Sequence, residues 1–179
     1  MLFLGIDHSL NKTAIVCVNE NGHFVGKTIY KNKKHKGEKR LLMLLKFITK
    51  LLKRYGSKIS CIGIENYSFG SKGRAIFNIG EAGGILRLLL WCWMGKKQRI
   101  YWCFAPKTVK KFASGNGNSN KDKMIKAVKD KWKFDAEEDH DVADAFAVAQ
   151  LTRSFYLYNV GKRKTLSKDE IDVMNKIGT

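Results

Sequence analysis

The chain has 179 residues, 44% of them hydrophobic, which suffices for one domain with a genuine core and excludes a disordered chain. Lys and Arg number 34 against 16 Asp and Glu, a formal charge of +18, so a polyanionic partner is expected, either nucleic acid or an anionic membrane surface. No apolar run approaches the roughly 18 residues of a spanning helix, and the N-terminus enters a strand without a basic leader. Cys17, Cys61, Cys92 and Cys103 stand singly in apolar segments, without zinc-type spacing. They read as buried thiols in a reducing compartment, and nucleic acid, not membrane, is the expected partner.

Residues 2–7 (Leu-Phe-Leu-Gly-Ile-Asp) are apolar without internal charge and stop at a carboxylate, the pattern of a strand buried on both faces. Residues 13–18 read as a second strand. Asn21-Gly22 predicts a tight primed turn, and residues 23–30 return as a third strand, completing an antiparallel meander. The basic stretch 31–40 is either a solvated loop or a contact for phosphate. A helix over 38–55 follows, with Leu41, Leu44, Leu45, Ile48, Leu51 and Leu52 on one stripe and Gly56 as its stop. The crossover makes the next strand, 59–65, parallel to the first, and it too ends in an acid, Glu65. A polar loop over 66–73 leads to a long helix over 74–94, where Gly80, Gly83 and Gly84 each cost roughly 1 kcal/mol relative to Ala unless close packing compensates. A strand over 99–105 and a short helix opened by Pro106 come next. Asn120 then caps a helix with Met124, Ile125 and Val128 inward. The last long helix ends near residue 158. Ser167-Lys-Asp-Glu170 is a capping box for one short helix in the basic tail. The chain therefore divides into one α/β domain over 1–158 and a tail over 159–179.

Four acids carry the chemistry. Asp7 and Glu65 end strands, where open α/β sheets present their ligand crevice. Asp141 and Asp144 share a helix face three residues apart, where like charges repel. Alone, each has a plain structural role as a turn, strand-end or helix N-terminal charge, as does Asp139. Together, beside alanines 143, 145, 147 and 149 that keep their helix close to its neighbour, they call for a cation. All-oxygen ligands suit Mg²⁺ or Mn²⁺. With so basic a chain the reaction expected is phosphodiester hydrolysis, two ions about 4 Å apart activating a water and stabilising the leaving oxygen. His140 reads as a helix-start residue beside the site. His8, next to Asp7, is a candidate for supporting it.

The element order resembles the ribonuclease H fold, a mixed five-stranded sheet of three antiparallel and then parallel strands flanked by helices. The motifs Leu4-Gly-Ile-Asp7, Ile62-Gly-Ile-Glu65-Asn, Phe77-Asn-Ile-Gly80-Glu-Ala-Gly-Gly84, Pro106-Lys-Thr-Val-Lys-Lys and Asp141-Val-Ala-Asp144-Ala-Phe-Ala147 resemble those of the RuvC-type Holliday junction resolvases, in the same order over residues 2–151. The resemblance implies that Asp7, Glu65, Asp141 and Asp144 are the metal-binding catalytic acids. It also implies that Lys121 supports catalysis and that Lys110, with Lys111 beside it, contacts DNA. The departures are His8-Ser9 where cellular members have Pro-Gly, the basic insert 31–36, and the tail after residue 159. The chain is thus similar to divergent viral or organellar-type members. Its expected place is the cytoplasm of a bacterial or phage-infected cell more than an organelle.

Tyr67 and Phe69 follow Glu65 closely. Either they anchor their loop, or one ring stacks on a base at the branch point, an interaction of roughly 1–3 kcal/mol. Lys72 and Arg74 flank the loop and would meet phosphate. The helix over 74–94 is apolar nearly all round in its C-terminal half, and Leu86, Leu89, Leu90 and Trp93 exceed the needs of one core, so a homodimer interface is expected there. Cover by the following helices or the tail is the alternative. A C2 dimer would present two sites to the two equivalent strands of a four-way junction and nick them as a pair. Other readings are a flap, branched-DNA or RNA–DNA hybrid nuclease of the same superfamily, and a non-catalytic junction-binding protein. An actin-like ATPase would need a second Gly-rich phosphate loop and a longer chain.

Overall fold

In β1 (Leu2–His8) the side chains alternate between two cores. Phe3 lies in one; Leu4 and Ile6 lie in the other. The computed structural model describes residues 1–67, 74–95 and 100–174. β1 pairs antiparallel with β2 (Lys12–Asn19), which pairs antiparallel with β3 (Phe24–Lys31). On its other side β1 runs parallel to β4 (Ile59–Glu65), and β4 to β5 (Ile100–Phe104), giving the order β3-β2-β1-β4-β5. This is the mixed five-stranded sheet that the apolar runs imply.

The turn after β2 differs from the primed turn expected. Asn21 keeps an ordinary negative φ, and only Gly22 is left-handed, at 84°. Gly22 N–H bonds Asn19 O at 3.0 Å, and Asn19 N–H bonds His23 O at 2.9 Å, so the connection has three residues. The left-handed residue of such a loop belongs at its third position, where this sequence places its glycine.

One face of the sheet is covered by α1 (Gly37–Tyr55) and α2 (Arg74–Gly95), through Leu44, Ile48 and Leu52 of α1 and Leu86, Leu90 and Met94 of α2. The other face is covered by α3 (Pro106–Ser114), α4 (Lys121–Trp132) and above all α5 (His140–Asn159). α3 opens on Pro106, and Asn120 caps α4 by accepting from Lys123 N–H at 2.9 Å, both as the sequence predicts. The tail packs onto this second face. In α6 (Lys168–Met174) Val173 is buried, and the capping box forms: Ser167 N–H donates to Glu170 Oε2 and Glu170 N–H to Ser167 Oγ. Glu170 also receives Arg163 and Ser154. Burial pushes this carboxyl up, but those donors outweigh it and hold the pKa at about 2.

α5 lies unusually close to the sheet. Gly5 and Gly63 are register partners in β1 and β4. A Cβ on Gly5 would overlap Ala145 O and Ala149 N, and one on Gly63 would overlap Thr152 Oγ1. With Ala145 and Ala149 fully buried opposite, two missing side chains on the strands meet two small ones on the helix. By the two-residue alternation, Asp7 and Glu65 project to the same face as Gly5 and Gly63, toward α5. Gly5→Val should therefore destabilise the protein by about 2–4 kcal/mol, because backbone on α5 cannot yield as a side chain could. Chemical denaturation measures this, and a loss under ~0.5 kcal/mol would contradict the close approach.

Candidate active site

Three carboxylates converge where β1, β4 and α5 meet. Asp7, Glu65 and Asp144 each offer an oxygen within 4.8 Å of the others, the one such cluster among the described residues. They line a cleft of about 310 Å³ whose rim also carries Lys110, Lys121 and His140. Three acids this close, partly buried, resist ionisation. Asp7 is raised well above the usual carboxylate range, by burial first and then by the charges of Glu65, Asp144 and Asp141. Burial and Asp144 raise Glu65 to about 8 against the pull of Lys110. Burial raises Asp144 to about 6, with Lys110 and Lys121 restraining it. Asp144 Oδ1 is a buried oxygen with no hydrogen-bond partner. An orphaned oxygen beside two more carboxylates, all hard donors, fits a divalent cation such as Mg²⁺ or Mn²⁺.

The fourth acid is placed differently. Asp141 lines the cleft, but its carboxylate stands apart from the group of three. Its Oδ2 is 2.8 Å from Lys12 Nζ, and its Oδ1 is 3.0 Å from His140 Nε2. Lys12 also reaches both oxygens of Asp139, at 2.7 and 2.8 Å. Asp139 in turn caps α5, accepting from Asp141 N–H and Val142 N–H. Burial would raise the Asp139 carboxyl, but Lys12 and the two amides prevail and lower it. The turn feeding this cap holds Glu137 and Glu138 at φ of 52° and 58°, left-handed values that cost non-glycine residues roughly 1–2 kcal/mol each.

The basic residues divide. Lys110 and Lys121 face the carboxylates, and Lys121 Nζ lies 2.7 Å from His140 Nε2. His140 is the first residue of α5 and sits beside the site, as the sequence suggests. Lys111 does not line this cleft; it pairs with Asp172 of α6 at 2.8 Å. His8 lies beside Asp7 with Nδ1 2.8 Å from Thr13 Oγ1, and burial with the nearby Arg40 charge lowers its pKa to about 4. Tyr67 lines the cleft and also packs on α2. Gly83 of α2 packs against it, since a Cβ there would overlap the ring, and the Arg87 guanidinium lies 5.1 Å from its centroid. Its hydroxyl donates to Gly80 O at 3.3 Å. Tyr67 thus anchors the start of its loop to α2. Phe69, Lys72 and the Arg74 side chain lie outside the described residues.

Lys12 and Arg87 are the members that sequence reasoning missed. Lys12 opens a strand, and the acids it pairs with lie 127 and 129 positions away. Arg87 carries no local signal either.

A model of the crossover junction endodeoxyribonuclease RuvC family matches residues 3–152. Among curated proteins no sequence match is found. The structure is similar to Thermus thermophilus RuvC, free and in complex with a Holliday junction substrate. Both have TM-scores of 0.69, at 18% and 16% identity, and cover 93% of this chain and 100% and 99% of theirs. It is also similar to the yeast mitochondrial Holliday junction resolvase Ydc2, with a TM-score of 0.51, 16% identity, and 89% and 82% of the two chains covered. At these identities the structures speak for the fold; the family match extends over most of the chain. The ribonuclease H-like sheet, the converging carboxylates and the family match together place this chain in the RuvC family of crossover junction endodeoxyribonucleases, the Holliday junction resolvases.

Proposed function

We propose that the chain hydrolyses phosphodiesters at four-way DNA junctions with Mg²⁺ or Mn²⁺ held by Asp7, Glu65 and Asp144, and with Asp141 completing a two-ion site. The convergence of three partly buried acids around an orphaned oxygen carries this reading. A non-catalytic DNA binder has no use for carboxylates held against their own repulsion, and they would oppose the phosphate it binds. The bound cations would supply Lewis-acid stabilisation and an ionisable water. Lys110 and Lys121 draw the phosphate in and offset its growing negative charge, and His140 positions Lys121. Lys111, on the side of the tail helix, and Lys72 and Arg74 would meet DNA phosphate, and Tyr67 or Phe69 would stack on a base at the branch point. Among the described residues no helix is long and apolar enough to cross a membrane. Cys17 and Cys61 are buried thiols as expected, but Cys92 and Cys103 are exposed, against the reading that all four are buried; the place of action proposed is the cytoplasm of a bacterial or phage-infected cell.

A homodimer through α2 follows from the face this helix leaves bare. Leu86 and Leu90 are buried in the chain's own core, and Leu89 and Trp93 pack against it. The four residues first singled out as surplus are therefore not the uncovered ones. Phe77, Leu88 and Trp91 are, at 73%, 61% and 65% exposed. Gly80 and Gly84 lie along the same helix with open space where a Cβ would stand, so a second helix can approach closely. The tail covers the opposite face of the sheet and leaves α2 free for a second copy.

Asp7→Asn or Asp144→Asn should abolish cleavage of a four-way junction while junction binding persists. Undiminished turnover with Mg²⁺ in either variant would refute the assignment. A comparison of four-way junction, flap, hybrid and linear duplex tests the substrate, and cleavage of all four at one rate would overturn junction selectivity.

The raised acid pKa values also fix a pH dependence. Between the ordinary carboxylate values of 3.8 and 4.5 and the folded values of about 6 and 8, the metal-free folded protein binds more protons than the unfolded chain. Its stability should therefore fall as pH rises through that window. A divalent ion removes the penalty and releases protons, so the Tm gained from Mg²⁺ should grow from about pH 5 to about pH 8. A gain that is flat or shrinks with pH would contradict the shared-charge site.

Leu88→Glu should give a folded monomer that binds junctions weakly and no longer nicks paired strands. Sedimentation of the unmodified protein as a monomer at micromolar concentration, with and without DNA, would rule the dimer out.

A further inference from the structure

The fourth acid is already neutralised from within the chain. Lys12 Nζ contacts Asp141 Oδ2 at 2.8 Å and both Asp139 oxygens at 2.7 and 2.8 Å, while His140 Nε2 lies 3.0 Å from Asp141 Oδ1. Asp141 Oδ2 is therefore engaged by an ammonium, whereas Asp144, one helical turn on, keeps a buried oxygen with no partner. Asp7, Glu65 and Asp144 form one group within 4.8 Å, and Asp141 is outside it. The ammonium is held in place from behind, because Asp139 is fixed as the cap of α5 and Lys12 as the first residue of β2.

We propose that Lys12 is a built-in cation that takes the place of the second metal ion, so that the chain without DNA binds one divalent ion tightly and a second only weakly. The proposal deepens the metal-site reading given above and rests on it. The physical argument is competition. A second ion held by Asp141 would have to displace a partly buried, charge-assisted contact from Oδ2 and leave two positive charges in the space of one. The first ion meets no such competitor. Lys12 thereby sets ion number and affinity without touching the reacting phosphate, which makes it a positioning residue. The second ion becomes favourable where further negative charge, such as a substrate phosphate, enters the cleft.

The test uses the full chain without DNA, with Mn²⁺ alone as probe, followed by electron paramagnetic resonance and calorimetric titration. The unmodified protein should take up one tight ion with the spectrum of an isolated Mn²⁺, the second binding weaker by about tenfold or more, as expected for breaking one charge-assisted bond. Lys12→Met, and Lys12→Gln as the gentler variant that can still hydrogen-bond Asp139, should bind two ions of similar affinity with a spin-coupled spectrum. Lys12→Arg should stay with one. Two coupled ions of equal affinity in the unmodified protein would overturn the proposal, as would folded Lys12→Met and Lys12→Gln proteins that still bind one. Should both variants unfold, the unmodified protein decides, one tight ion supporting the proposal and two overturning it. Failure of the underlying site gives a separate result: no tight Mn²⁺ in the unmodified protein, or tight binding that survives Asp144→Asn.

Discussion

The structure depends on how closely α5 approaches the centre of the sheet. Helices usually sit on sheets at a distance set by interleaved side chains. Here Gly5 and Gly63 remove the strand side chains, and Ala145 and Ala149 shrink those of the helix. The backbones come almost into contact, and the carboxylates one step further along each element are drawn together. The burial of the apolar residues of α5, Val142, Phe146, Val148 and Leu151 among them, drives the approach, and the repulsion between the acids opposes it. Asp7, Glu65 and Asp144 respond by holding protons at pH values where free carboxylates would not. A site of this kind stores a preference for a cation in the packing of its core.

Charge around the cleft is distributed by position and not merely supplied in bulk. An excess of +18 could be smeared over the surface, yet the lysines play distinct parts. Lys110 and Lys121 line the cleft beside the acids from α3 and α4. Lys12 approaches from β2 and occupies Asp141 and Asp139 outright. Lys111, adjacent to Lys110, turns instead to Asp172 and helps fasten the tail helix. Successive residues on a short helix point about 100° apart, so two neighbouring lysines serve different surfaces.

The two faces of the sheet also differ in function. One carries α3, α4, α5 and the docked tail, and it assembles the acids. The other carries α1 and α2, and α2 presents Phe77, Leu88 and Trp91 to solvent. Tyr67, just after Glu65, packs on Gly83 and Arg87 of α2, so the end of β4 and α2 are joined by one ring.

The sequence by itself determined the order of the strands, the parallel crossover, the helix caps and the three acids that meet. These follow from periodicity and from local chemistry. Alternation in residues 2–7 and 59–65 states which faces the strand ends share, and Ser167 to Glu170 or Asn120 to Lys123 are contacts within one turn. The tertiary structure decided what depends on the crossing of distant elements. Lys12 meets Asp139 across 127 positions, Asp141 pairs with Lys12 beside the group of three, and Tyr67 packs on Gly83. It also decided which side of α2 is bare. Where a helix is apolar nearly all round, periodicity has no contrast from which to read a face, and only the position of the sheet selects Leu88 over Leu89 as the residue left outside.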